Sequence, residues 1–166
     1  MTTAQAVASK QFLTFTLGED IFGVEVTQVR EILDYTSVTK VPQTPDFMLG
    51  VINLRGSVVP VVDLRAKFGL PPVDKTRDTC IIVMEIEIEG ESTVLGAVAD
   101  AVQEVMDLAE EQIEPAPRIG TRLKTEFIYG MGKRDDQFII LLNIDKIFSV
   151  DELLLVQDAT EQTTKE

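Results

Sequence analysis

The sequence predicts a mainly β protein built as two small β-barrels, related by internal duplication and joined along a shared apolar seam. Three observations predict it. The chain divides into short apolar runs with period-two alternation and many β-branched residues, bounded by Gly, Pro and charged turns. Gly23–Asp34 (GVEVTQVREILD) matches Gly96–Asp107 (GAVADAVQEVMD) at an offset of 73, with Val29 on Val102, Glu31 on Glu104 and Asp34 on Asp107. FMLG at 47–50 then meets FIYG at 127–130 at an offset of 80, which lands VPVVDL on IILLNI and Phe68 on Phe148. Chance is the alternative for so few identities, but their order and near-constant offset favour duplication. Barrels of about 70 residues are marginal alone, so the two are expected to unfold together.

Residues 1–10 and 158–166 are polar and read as flexible tails around a single unit at 11–157. Its barrels are expected at about 11–70 and 78–148, with strand exchange between them left open. QFLTFTLG alternates as a half-buried strand, Gly18-Glu19-Asp20 turns, and IFGVEV returns. Thr27 is expected to cap a short helix with Val29, Ile32 and Leu33 on one face and Glu31 off it. VTKVPQTPDF, with two prolines, is an irregular connection.

Gly50–Leu64 (GVINLRGSVVPVVDL) organises the chain: two β-branched runs around Arg55-Gly56-Ser57 form a hairpin with Arg55 at its tip. A strand pair so apolar is expected near the middle of a sheet or barrel. DLRAKFG reads as about two helical turns capped by Asp63 and stopped by Gly69, with Asn143 as the matching cap. In TCIIVMEIEIEGEST, Glu85, Glu87 and Glu89 share one face, which suits a solvated edge strand better than a cation cup. Thr93–Ala99 and Val102–Met106 continue as strands, EEQIEPAP connects, and Phe127–Gly132 with Phe138–Leu142 form another hairpin. SVDELLLVQ can make a last helix capped by Ser149.

Composition excludes several functions. A net charge of −13 repels phosphate backbones and anionic lipid, so neither nucleic acid nor direct membrane insertion is expected. No apolar run nears the roughly 20 residues of a membrane span, and no leader pattern opens the chain, which points to the cytoplasm. The lone Cys80 lies in an apolar run and behaves as a small hydrophobe. Histidine is absent, which removes the commonest general base and metal ligand. Phosphate loops, Cys-x-x-Cys and Ser-His-Asp sets are missing, so no catalytic residue, cofactor or metal site is assigned. Asp63 and Asn143 match in position, but an amide cannot complete a carboxylate pair, and neither is followed by Thr-Gly.

What the duplication did not keep is informative. Asn53-Leu54-Arg55-Gly56 at the first hairpin tip faces Lys133-Arg134-Asp135-Asp136 in the second. Apolar strands match while the tip is rewritten, as expected of a site, although turns also drift freely. Glu31 is the natural partner for Arg55, and an unpaired surface arginine is the alternative.

With these residues in view, the chain from Gln11 to Gln157 resembles the CheW family, the adaptor proteins of bacterial chemotaxis. The resemblance rests on FLTFTLGEDIFGVEV, VREIL, VPQTPDFMLGVINLRGSVVPVVDLRAKFG, LGAVADAV, QIEPAP, FIYGMG and FIILLNIDKIF. It implies two SH3-like five-stranded barrels and a stand-alone, non-catalytic adaptor that bridges chemoreceptors to the histidine kinase CheA. It further implies that Glu31 and Arg55 pair near a receptor-binding groove between the barrels. Val26, Val29, Asn53, Gly56 and Gly96 would line or shape that groove, and Gly50 would belong to the kinase-binding region. Another protein-binding β-barrel module is the alternative.

Overall fold

The computed structural model describes residues 9–42, 44–88, 90–115, 125–134, 136–148 and 152. Ten strands run in chain order: β1 Ser9–Leu17, β2 Asp20–Glu25, β3 Val29–Asp34, β4 Met48–Leu54, β5 Ser57–Asp63, β6 Cys80–Ile88, β7 Glu91–Ala99, β8 Ala101–Ala109, β9 Ile128–Arg134 and β10 Gln137–Leu142. Single helical turns follow the second hairpin of each half, α1 at Leu64–Lys67 and α2 at Ile144–Ile147. The strands form two five-stranded sheets, ordered β8-β1-β2-β10-β9 and β3-β6-β7-β5-β4. Exchanging each of the first five strands with the strand five places later turns one order into the other. This is the duplication, with strands of 11–70 and of 78–148 distributed over both sheets.

The two sequence offsets meet in single register pairs. Gly23 lies opposite Leu141 in the parallel β2–β10 pairing, and Gly96 lies opposite Val61 in β7–β5. A Cβ on Gly96 would stand 2.7 Å from Ile81 Cγ2, and one on Gly23 would stand 3.0 Å from Leu141 Cδ2. Both positions are glycine because a branched side chain of the neighbouring strand occupies the space. The isolated bridges Thr39↔Val51 and Glu114↔Met131 hold similar places, with Val51 and Met131 related by the offset of 80.

The seam is apolar and shared. Phe15, Phe22, Val24 and Leu142 of one sheet pack with Val62, Ile82, Met84 and Leu95 of the other in one buried cluster. Full burial of such a side chain contributes roughly 1.5–3 kcal/mol. Near the pseudo-two-fold axis four phenylalanines pair across the halves, Phe47 with Phe148 at 5.2 Å and Phe68 with Phe127 at 6.2 Å between ring centroids. Separate clusters fill the inside of each barrel, Ile52, Val59, Val61, Ile81, Val83 and Val98 in one and Phe12, Leu108, Ile139 and Leu141 in the other. Cys80 is buried, and burial pushes its thiol upward.

Several expectations are corrected. The first strand begins at Ser9, two residues ahead of Gln11. Thr27 caps no helix: Val26–Gln28 is a single 3-10 turn, and Val29–Asp34 is a strand alternating half-buried with exposed. Glu31 therefore shares a face with Leu33, while the register shift between Val29 and Glu31 turns Val29 to the opposite face, with Met84 on the shared seam. The Gly50–Leu64 hairpin sits at one end of its sheet order, with β4 outermost, and the connection before it covers that edge through Thr39. The helix after Asp63 is one turn; Asp63 Oδ1 does accept from Arg65 N at 3.0 Å. Asn143 makes no side-chain cap, and its carbonyl accepts from Lys146 N instead. β6 is the second strand of its sheet, and only its glutamate-bearing end runs past the last β3 pairing at Met84. Glu89, Asp135 and the expected final helix lie outside the described residues, Glu152 excepted; Glu152 accepts from Lys67 Nζ at 2.7 and 2.8 Å.

Candidate protein-binding site at a hairpin tip

The β4–β5 hairpin closes through a two-residue turn in which Arg55 (φ 51°) and Gly56 (φ 87°) both have positive φ. Such turns match the right-handed twist of paired strands, and they favour Asn or Gly at the first position, not arginine. Among the described residues Arg55 is the one non-glycine with positive φ. Its neighbour Asn53 holds the turn, accepting from Gly56 N at 3.0 Å through its side-chain oxygen. A turn that tolerates an unfavourable residue and braces it from beside gives that residue a fixed direction.

That direction is toward Glu31. Arg55 Nη1 donates to Glu31 Oε1 at 2.7 Å and Nη2 to Oε2 at 2.9 Å, a bidentate pair that fixes both side chains. Glu31 lies on β3 and Arg55 just past β4, the two outer strands of this sheet, so the pair spans its edges and closes the barrel at one end. The Thr39↔Val51 bridge closes it elsewhere along β4. Hydrogen bonding to the guanidinium holds the Glu31 carboxyl below its ordinary value and raises Arg55 further. The arginine nevertheless stays 75% exposed, against 25% for the glutamate.

Beside the pair is a concavity of about 300 Å³ drawn from all five strands of this sheet. Leu54, Val58, Val59, Val83 and Val94 form its apolar floor, and Arg30, Glu31, Arg55 and Ser57 form its rim. Arg30 is also tied down, by an ion pair with Glu85 of β6. An apolar floor under a charged, braced rim is suited to a protein segment with one apolar face.

The structure brings Glu31, Asn53, Arg55 and Gly56 together and separates the other predicted residues from them. Val26 and Val29 are half-buried and pack against the shared seam. Gly96 is buried inside the barrel wall, so it shapes the fold under the site without lining it. Gly50 is buried as well, with φ 151°, and a Cβ there would collide with the carbonyl oxygen of Thr39. The concavity opens at the end of one barrel, where the sequence reading expects a groove between the two. That reading also missed Arg30 and the floor valines Val83 and Val94, because which face of a strand a valine occupies follows from register.

A second arginine pair was missed altogether. Arg65 on α1 donates from Nε to Asp100 Oδ1 at 3.2 Å, from Nη2 to Asp100 Oδ2, and from Nη1 to the Pro71 carbonyl at 2.9 Å. Asp100, between β7 and β8, also accepts from Gly18 N in the β1–β2 turn at 2.7 Å. The pair thus connects elements of both sheets, with the arginine side chain only 9% exposed. Burial pushes the Asp100 carboxyl up, but the Arg65 and Gly18 hydrogen bonds outweigh it and hold the group below its ordinary value.

Two fused barrels with a braced charged pair over an apolar concavity define a scaffold class of protein, one that presents surfaces to partners. Comparison with known proteins agrees. The family model for the CheW-like domain matches residues 11–152. Chemotaxis protein CheW of Klebsiella aerogenes is 39% identical over 158 residues, covering 95% of this chain and 93% of its own. Probable chemotaxis protein CheW of Rhizobium etli is 36% identical over 143 residues, covering 86% and 90%. The crystal structure of the scaffolding protein TtCheW from Thermoanaerobacter tengcongensis superimposes with a TM-score of 0.77 at 38% identity, covering 87% of this chain and 91% of that one. The chain belongs to the CheW family of chemotaxis scaffold proteins.

Proposed function

We propose that this protein is a non-catalytic adaptor that bridges the cytoplasmic tips of methyl-accepting chemoreceptors to the histidine kinase CheA and couples receptor state to kinase activity. The observation that carries the reading is the Glu31–Arg55 pair, a rigid bidentate contact left largely in water beside an apolar floor. Family membership supplies the chemotaxis setting. No helix among the described residues is long and apolar enough to cross a membrane, which suits work in the cytoplasm with recruitment to receptor arrays.

In this reading the helical tip of a receptor lays its apolar stripe on the half-buried Leu54, Val58 and Val94, with Val59 and Val83 buried beneath them, and its polar flank meets Arg55, Glu31 and Arg30. Asn53 and Gly56 serve by holding the turn. Val26 and Val29 border the receptor-facing surface at the start of β3, and Gly96 supports it from beneath. Gly50 influences kinase binding indirectly, because its missing side chain lets Val38 and Thr39 lie against β4. The regulatory barrels of CheA meet a separate barrel surface. Coupling requires that the assembled complex favour one arrangement of the kinase over another, since equal binding to both would shift nothing.

Co-sedimentation tests the proposal. Wild-type protein and Arg55→Glu are spun with a receptor cytoplasmic fragment, with CheA, and with both. Wild type is expected to bind each and to raise kinase recovery with receptor, and Arg55→Glu is expected to lose the receptor-dependent part. Wild type binding neither partner would overturn the proposal.

A further inference from the structure

Asp145, on α2 of the second half, reaches across to the edge of the other sheet. One oxygen, Oδ1, accepts from Gln28 Nε2 at 3.1 Å and from the backbone N–H of Glu87 at 3.1 Å. Glu87 lies on the end of β6 that runs past the last β3 pairing at Met84, so its amide would otherwise face an open sheet edge. Gln28 closes the 3-10 turn Val26–Gln28, which has no buried residue and no side-chain cap. Immediately after that turn Val29 enters its pairing with Met84, and Glu31 follows past a register shift. A single carboxylate therefore joins three segments: the turn that leads into β3, the free end of β6, and the helix closing the second hairpin of the other half.

We infer that Asp145 is a positioning residue for the receptor-binding face: by clasping Gln28 to the β6 edge it fixes where β3 begins, and so where Glu31 stands against Arg55. The inference rests on the receptor-site reading above. Its chemistry is acceptor chemistry, so an asparagine in the same place, whose side-chain carbonyl accepts equally, preserves the clasp, whereas alanine abolishes it.

The experiment measures two quantities on the full chain for wild type, Asp145→Ala, Asp145→Asn and Arg55→Glu. One is hydrogen exchange of the Glu87 amide and of residues 26–29; the other is affinity for a receptor cytoplasmic fragment. Asp145→Ala is expected to speed exchange at both places and to weaken receptor binding roughly threefold to tenfold, the worth of one or two lost hydrogen bonds. Asp145→Asn is expected to restore both. Unchanged exchange in Asp145→Ala would remove the clasp, and faster exchange with unchanged affinity would remove its positioning role. If Arg55→Glu weakens binding and Asp145→Ala does not, this inference alone falls. If Arg55→Glu leaves binding intact, the receptor-site reading falls and takes the positioning role with it, while the exchange data still decide the clasp.

Discussion

Two arginines stand at opposite ends of β5, and both grip a carboxylate distant in sequence with two nitrogens. At the tip, Arg55 holds Glu31 with three-quarters of its side chain in water; at the root, Arg65 holds Asp100 with 9% exposed. Arg55 closes the edges of one barrel, whereas Arg65 connects α1 to Asp100 and, through it, to the Gly18 turn of the other sheet. The same ion chemistry thus faces outward at one end of a strand and inward at the other. Water decides the difference: an exposed pair is cheap to break and free to exchange for a partner, while a buried one is costly to leave half-made.

The sharpest way to break this contrast is to remove one carboxylate at a time. Asp100→Ala strands a buried guanidinium with the Pro71 carbonyl as its remaining named acceptor, and we expect a loss of about 2–4 kcal/mol in urea unfolding. Because the shared apolar seam still joins the sheets, the transition should stay single, with both barrels losing structure together. An unfolding midpoint matching wild type would show that the buried pair contributes nothing to joining the barrels. Arg55→Glu, at the other end, places two carboxylates face to face on the surface. Its thermal midpoint is expected within about 2 °C of wild type, with receptor affinity at least about tenfold weaker. A large drop in the midpoint with binding retained would assign Arg55 to the fold and reverse the contrast.

How legible the two pairs were in the sequence follows the same division. Glu31 and Arg55 stand in one copy of the repeat, flank apolar runs and differ from the second copy at the tip, so their meeting could be argued from residues alone. Arg65 and Asp100 lie in different copies and meet only once strands are shared between the sheets, which no local pattern announces. The barrels themselves were readable because the repeat forces particular residues: Gly23 and Gly96 must clear Leu141 and Ile81, and Phe47, Phe68, Phe127 and Phe148 meet as two matched pairs. The strand Val29–Asp34 was not. Val29, Ile32 and Leu33 satisfy a helical spacing, Val29, Glu31 and Leu33 satisfy alternation, and six residues are too few to separate the periods. Pairing with β6 decides it, and only as a strand does Glu31 turn toward Arg55.

Acid separates the pairs by a smaller effect. Asp100 and Glu31 are both held below their ordinary values in the folded protein, so each contributes stability that is complete above its unfolded value, near pH 4, and is lost as pH falls through the folded value. The loss should be larger for Asp100, whose partner cannot be rehydrated without opening α1. In unfolding midpoints measured from pH 6 to pH 3, Asp100→Asn is expected to start lower and fall less steeply than wild type. Glu31→Gln is expected to follow the wild-type curve closely. Parallel slopes for wild type and Asp100→Asn would mean that the buried carboxylate does not govern the acid limb.

The finest distinction comes from swapping charges within a pair. At the surface, Glu31→Arg combined with Arg55→Glu keeps opposite charges facing across the same sheet edges. Barrel closure should therefore recover relative to either single variant, seen as slower hydrogen exchange in β3 and β4. Receptor affinity should recover only in part, because the partner meets a rim whose outward charge has changed from arginine to glutamate at the braced turn. Full recovery of affinity would mean that the receptor reads the closed edge and is indifferent to which strand carries the cation. No recovery of exchange protection would mean that the pair does not close the barrel, and its value would then lie wholly in what it shows to the partner.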